Sequence, residues 1–121
     1  MPFRRVLVVE DDPDCAEVLE WILRDWGHHV HHATDEATMR GALGTARPDV
    51  VLIDGLLGNE DGLELVRRHR QGLLAGLPVV LTTGRSHAEV DARAREVGIE
   101  RVLYKPYHLP ELLRVVEGGG A

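Results

Sequence analysis

Glu10-Asp11-Asp12, Asp54, Thr83 and Lys105 are the residues of this sequence that could do chemistry together. Each stands at the end of a short, mostly apolar run: Val6-Leu7-Val8-Val9, Val50-Val51-Leu52-Ile53, Val79-Val80-Leu81-Thr82 and Val102-Leu103-Tyr104. Runs of this kind read as strands of a parallel sheet, the central ones buried on both faces. The carboxyl ends of such strands share one edge, and ligands bind in the crevice outside it. Three or more carboxylates gathered there cannot all stay ionised without a counter-charge. Mg²⁺ is the natural one, held by one or two carboxylates with water and phosphate oxygens completing its shell. An ammonium and a hydroxyl beside it suit a phosphoryl group. Taken alone, Asp54 reads equally well as a site carboxylate or as a cap on the loop that follows.

The elements that must position these groups alternate along the chain. Arg5 to Glu10 reads as a strand, and Asp12-Pro13 as a helix start, with Asp as N-cap and Pro at the first helical position. That helix runs to about Trp26 and stops at Gly27. Ala16, Leu19, Leu23 and Trp26 follow helical spacing, whereas Trp21 falls on the polar face with Glu17 and Arg24. His29 to Ala33 is a poor second strand, and Glu36 to Ala46 a weak helix interrupted by Gly41 and Gly44. After the strand ending at Asp54 come a loop from Gly55 to Asp61 and a helix from Gly62 to about Gln71. Val79 to Thr83 is a strand, His87 to Val97 a helix with a thin apolar stripe of Val90, Ala94 and Val97, Arg101 to Tyr104 a strand, and Leu109 to Glu117 a helix. Five strands alternating with five helices predict right-handed crossovers and a parallel sheet covered on both faces.

The chain has 121 residues, room for one domain. Its net charge of −6 disfavours direct contact with nucleic acid or an anionic membrane. No apolar run reaches membrane-spanning or signal-peptide length, which makes the cytoplasm the default location. Cys15 is the single cysteine, so no internal disulfide is possible, and its expected place on the core side of the first helix suggests a structural thiol. Lys105 is the only lysine among 14 basic residues, which fits either a need for a compact ammonium on a thin stem at that position or, equally, a genomic base composition that favours arginine codons. His28, His29, His31 and His32 invite a metal reading, but strand alternation splits them between two faces, and a solvated edge strand is the simpler account. Gly118-Gly119-Gly120 reads as a tail or linker stub, giving a domain over 1–117 and a glycine-rich end over 118–121.

With these residues in place, the chain resembles the receiver domain of two-component response regulators. The carriers are Val8-Val9-Glu10-Asp11-Asp12-Pro13, Asp54, Asp61-Gly62-Leu63-Glu64-Leu65, Pro78-Val79-Val80-Leu81-Thr82-Thr83-Gly84 and Lys105-Pro106, in order and at family spacing. The resemblance implies a flavodoxin-like, doubly wound (βα)5 sandwich whose parallel sheet has order 2-1-3-4-5. It also implies that Asp54 takes a phosphoryl group from a histidine kinase or a histidine phosphotransfer protein. Asp11 and Asp54 would bind Mg²⁺ directly, Glu10 through a water and Leu56 through its backbone carbonyl, with Mn²⁺ able to substitute. Thr83 would hydrogen-bond the phosphoryl group and Lys105 would neutralise it. Such a domain is a phosphoacceptor rather than an enzyme, with at most self-phosphorylation and self-dephosphorylation. Thr83, Val102, Tyr104 and Pro106 occupy switch positions. Trp21, on the family's kinase-facing helix, is a candidate docking anchor, and the fourth and fifth helices a candidate homodimer face.

Three departures from the family pattern carry expectations. The aromatic usual three residues before the lysine is Val102, with Tyr104 on the same face as a candidate substitute. The proline usual four residues after the phosphorylated aspartate is Gly58, which predicts a looser loop. Leu56 and Arg85 hold positions that tune phosphoryl lifetime, and apolar Leu56 cannot orient a hydrolytic water, so a long-lived phosphorylated form is expected. A small aspartyl-phosphate phosphatase would want a second acid at Leu56. A flavin module would want a phosphate cradle where Glu10-Asp11-Asp12 would repel one. The same domain could equally be part of a hybrid histidine kinase or a DNA-binding regulator.

Overall fold

Residues 4–84, 87–99, 101–105 and 108–118 are described by the structure, a computed structural model. In chain order the elements are β1 (Arg5–Val9), α1 (Pro13–Asp25), β2 (His29–Ala33), α2 (Glu36–Thr45), β3 (Val50–Asp54), β4 (Leu56–Leu57), β5 (Glu60–Asp61), α3 (Gly62–His69), β6 (Val79–Thr83), α4 (His87–Glu96), β7 (Arg101–Tyr104) and α5 (Leu109–Val116). β2, β1, β3, β6 and β7 pair in that order, all parallel. Among these five the order is the predicted 2-1-3-4-5, the flavodoxin-like (βα)5 arrangement.

Strand alternation explains why both faces are covered. Leu7, Val9, Val51, Ile53 and Leu81 pack with Met39 and Leu43 of α2, Leu63, Leu65 and Val66 of α3, and Val90 and Ala94 of α4. Val6, Val8, Val50, Leu52, Val80 and Leu103 point the other way, onto Leu19 and Leu23 of α1 and Leu112, Leu113 and Val116 of α5. Burying one such side chain contributes about 1.5–3 kcal/mol, so two continuous clusters hold the sheet in a single register.

The caps are local and readable. Asp12 accepts from the Asp14 N–H and Pro13 begins α1, as expected, and Gly27 ends it at φ 96°. Asp35 and Thr38 form a reciprocal capping box on α2. This secures a helix that its glycines weaken.

The segment after β3 differs from the expected loose loop. It folds back as a two-stranded ribbon in which Leu56 faces Asp61 and Leu57 faces Glu60, with Leu57 buried. Gly58 turns the ribbon at φ 58°, a value closed to proline, so the missing family proline and the ribbon are one fact.

His28 also departs from the solvated reading. It is buried at the opposite end of the fold, accepting from the Arg4 N–H at Nδ1 (3.2 Å) and facing Glu117 Oε2 from Nε2 (3.2 Å). With Nδ1 accepting, Nε2 must carry the ring proton and donate. His29, His31 and His32 are exposed on the edge strand β2, as expected.

Candidate functional site

β1, β3, β6 and β7 end on one edge, and the loops that follow deliver the side chains singled out from the sequence. Glu10, Asp11, Asp54, Leu56, Thr83 and Lys105 line one cavity of about 330 Å³ together with Asp12, Cys15 and Gly84. Asp54 is held from two sides: the Leu56 N–H donates to Oδ1 at 2.9 Å, and the Lys105 ammonium donates to Oδ2 at 2.9 Å. Lys105 also lies 3.5 Å from Glu10 Oε1. The backbone keeps these strand ends in register, through the Gly55 N–H on the Thr82 carbonyl (2.9 Å) and the Lys105 N–H on the Thr83 carbonyl (2.7 Å).

Gly62 sets the position of Asp54 from behind. Its N–H donates to the Gly55 carbonyl at 3.0 Å, and a Cβ at Gly62 would run into the carbonyl of Asp54. Only glycine lets α3 start so close to the strand. An Asp-Gly pair at a helix start was visible in the sequence, but its contact with Asp54 was not.

The electrostatics are those of a crowded acidic pocket with one cation. Carboxylate oxygens of Glu10, Asp11 and Asp54 lie within 4.8 Å of one another, the one set of potential metal ligands of this size among the described residues. Glu10 is almost fully buried, and burial first, then its hydrogen bond to Asp54 and that residue's charge, push its carboxyl from 4.5 up to about 7 despite Lys105. Burial works to lower the Lys105 pKa, but the hydrogen bond and charge of Asp54, with Glu10, raise it overall. Asp11 is exposed, open to a ligand from solvent. Hard oxygen donors, one of them a carboxyl that burial and the neighbouring Asp54 charge push towards its protonated form, fit a Mg²⁺-sized cation.

The other expected residues are placed as follows. Thr83 is buried at the floor of the cavity. Val102 packs on the α2/α3/α4 side of the sheet, and Tyr104 reaches the same side, where its hydroxyl donates to Asp91 of α4. Burial and that bond push the Tyr104 phenol up to about 12. Trp21 is 77% exposed on α1, with Val18 beside it in a shallow surface depression. Pro106 and Arg85 lie outside the described residues. Cys15 is a correction: it sits half-buried at the cavity rim, its thiol 3.4 Å from Asp12, rather than in the core. It occupies the first turn of α1, where the helix is still emerging from the sheet edge.

A second tie on α4 had no sequence signal. Arg93 reaches Asp61 Oδ2 at 2.7 Å, and Asp61 in turn caps α3 through the Leu63 N–H. The helix with the thinnest apolar stripe is thus linked to the ribbon beside the cavity on one side and to β7 on the other.

A family model for the response regulator receiver domain matches residues 6–117. The virulence transcriptional regulatory protein PhoP of Salmonella typhimurium strain LT2 is 35% identical over 109 residues, covering 90% of this chain and 48% of PhoP. The chain spans about half the length of the curated relatives it matches. Chemotaxis protein CheY4 of Vibrio cholerae superposes with a TM-score of 0.87 at 25% identity, over 97% of this chain and 98% of its own. A response regulator receiver protein from Pseudomonas putida gives a TM-score of 0.87 at 27% identity and covers 98% of each chain. No helix among the described residues is long and apolar enough to cross a membrane.

Proposed function

The chain belongs to the response regulator receiver family, and we propose that it accepts a phosphoryl group on Asp54, from a histidine kinase or a histidine phosphotransfer protein, and relays that event through α4. The observation that carries this reading is the ammonium of Lys105 at 2.9 Å from Asp54, within a set of three carboxylates whose oxygens lie inside 4.8 Å.

Asp11 and Asp54 would hold Mg²⁺ directly, with Glu10 acting through a water and Leu56 through its carbonyl. The bound ion would supply charge neutralisation to the carboxylates and to the incoming phosphoryl oxygens. An Asp54 oxygen attacks phosphorus in line while the bond from phosphorus to the donor imidazole nitrogen breaks, the electron pair staying on nitrogen. Such a transfer asks the protein for positioning and charge compensation rather than for a strong nucleophile. The Leu56 N–H fixes the carboxylate plane, Lys105 passes from Asp54 to the new phosphoryl oxygens, and the Thr83 hydroxyl donates to another. The dianion draws Thr83 and Lys105 inward, and α4 responds through Tyr104–Asp91 and Arg93–Asp61. On α1, Trp21 and Val18 form the exposed apolar surface suited to docking the helices of the phosphoryl donor.

Incubation with acetyl phosphate and Mg²⁺, followed by intact mass, tests the reading. The wild type is expected to gain one acid-stable, base-labile phosphoryl group, and Asp54→Asn none. A modified Asp54→Asn protein, or an unmodified wild type, would overturn it.

A further inference from the structure

His32 stands near the carboxyl end of the edge strand β2, and alternation turns it to the α1 side of the sheet with Val30. It is exposed at the open edge, yet its ring is folded inward: only 26% of the side chain is accessible, and Nε2 lies 2.7 Å from the backbone carbonyl of Glu10. A carbonyl only accepts, so Nε2 carries a ring proton and donates it. Nδ1 faces Glu20 of α1 at 3.8 Å, which flanks the ring on its other side. We propose that His32 is a positioning residue for the acidic turn Glu10-Asp11-Asp12, acting through the Glu10 carbonyl. The inference rests on the metal-binding role given above to Glu10, Asp11 and Asp54.

The sheet itself does not hold this turn. β1 and β2 pair from Arg5 opposite His29 to Val9 opposite Ala33, and the Glu10 N–H closes the ladder on the Ala33 carbonyl at 2.9 Å. One more rung of a parallel ladder would bring the Asp35 N–H to the Glu10 carbonyl. That donor is already committed to Thr38 Oγ1, at 3.1 Å, in the capping box of α2. The ladder therefore stops one bond short of the acidic turn, and the His32 imidazole supplies the missing donor.

The consequence falls on Asp11. Its carboxylate makes no hydrogen bond among the described residues, so its place is set by the peptide units on either side. The peptide joining Glu10 to Asp11 is planar, and fixing its oxygen fixes the direction in which the chain leaves for Asp11. The next peptide is held by the Asp12 N–H on Glu10 Oε2 at 3.3 Å. Outer partners of this kind tune the affinity of a metal site without touching the ion. His28, just before the same strand, joins Arg4 to Glu117, scaffold to scaffold, whereas His32 joins the scaffold to the site.

The test compares wild type, His32→Ala and His32→Gln as full unphosphorylated chains, by amide NMR first without metal and then on titration with Mg²⁺, with thermal melts to confirm folding. The amide nitrogen of the glutamine reaches the place of Nε2, so that variant keeps the donor and loses the ring. Without metal, His32→Ala should lower the amide order parameters of Asp11 and Asp12 and leave those of Val6 to Val9 unchanged. It should bind Mg²⁺ about tenfold more weakly, and His32→Gln should restore both properties. If His32→Ala does not fold, His32→Asn, too short to reach the carbonyl, takes its place with the same expectations. Unchanged order parameters, an unchanged Mg²⁺ affinity, or a loss that His32→Gln leaves in place would each overturn the proposal. A wild type that binds no Mg²⁺ would instead remove the metal-binding role, and the order parameters would still decide for or against His32. Phosphorylation of Asp54 enters none of these measurements.

Discussion

The two ends of the sheet treat buried polar groups in opposite ways. At the amino edge, His28 is buried with both ring nitrogens engaged, and the Arg4 guanidinium donates to the Glu117 carbonyl at 3.3 Å. Its donors and acceptors are matched, and it fastens the end of α5 to the start of β1. At the carboxyl edge, three carboxylates share one ammonium, and Glu10 is forced towards its protonated form. A satisfied polar cluster holds a structure in one state, whereas an under-compensated one waits for an incoming charge. The difference separates the scaffold from the site without reference to any motif.

Breaking that contrast should be most costly at Asp54, where the substitution to asparagine is expected to remove the proposed phosphorylation, as read by intact mass after acetyl phosphate, while leaving the His28 cluster intact. Next comes pH. Because the Glu10 carboxyl is raised from 4.5 to about 7, the folded chain holds a proton over that range which the unfolded chain has lost. Stability of the metal-free protein should therefore be greatest below about pH 4.5 as far as this group is concerned, and fall by on the order of 2 kcal/mol as pH rises through 7. Thermal melts across pH should show this slope, and Glu10→Gln or saturating Mg²⁺ should flatten it; a slope that survives Glu10→Gln assigns it elsewhere. His28→Ala strands the Arg4 N–H and Glu117 and should cost about 1–3 kcal/mol in denaturant melts, with phosphorylation by acetyl phosphate at the wild-type rate. Leu56→Asn places an amide at the exposed lip of the cavity and should shorten the lifetime of the phosphorylated form severalfold; an unchanged decay rate would remove the role given to Leu56. The smallest effect is expected from Tyr104→Phe, about 0.5–1.5 kcal/mol in stability, accompanied by faster hydrogen exchange in α4.

What could be read from the sequence was whatever has a local signature. β3 and β6 announce themselves as apolar runs ending in Asp54 and Thr83, and Asp12-Pro13 as a cap, because burial and capping act on neighbours along the chain. The ribbon of Leu56–Leu57 and Glu60–Asp61 was missed since strands of two residues have no period to detect. His28 was misread for a different reason: its partners, Arg4 and Glu117, are 24 and 89 positions away, and only tertiary folding brings them together. The Asp61–Arg93 tie, 32 positions apart, is hidden in the same way. Cys15 was placed in the core because helical spacing alone cannot say how far the first turn of α1 stands above the sheet edge. The lysine inference rested on residue count and finds its counterpart in the distance between Lys105 and Asp54.

That single lysine also makes the protein an unusually simple substrate for amine footprinting. An acylating reagent meets one side-chain amine in the whole sequence, and that amine is bound to Asp54 and held protonated by it. The reactivity of Lys105, read from the mass of the peptide that carries it so that the chain's α-amine is kept apart, therefore reports with no added dye who its counter-ion is at any moment.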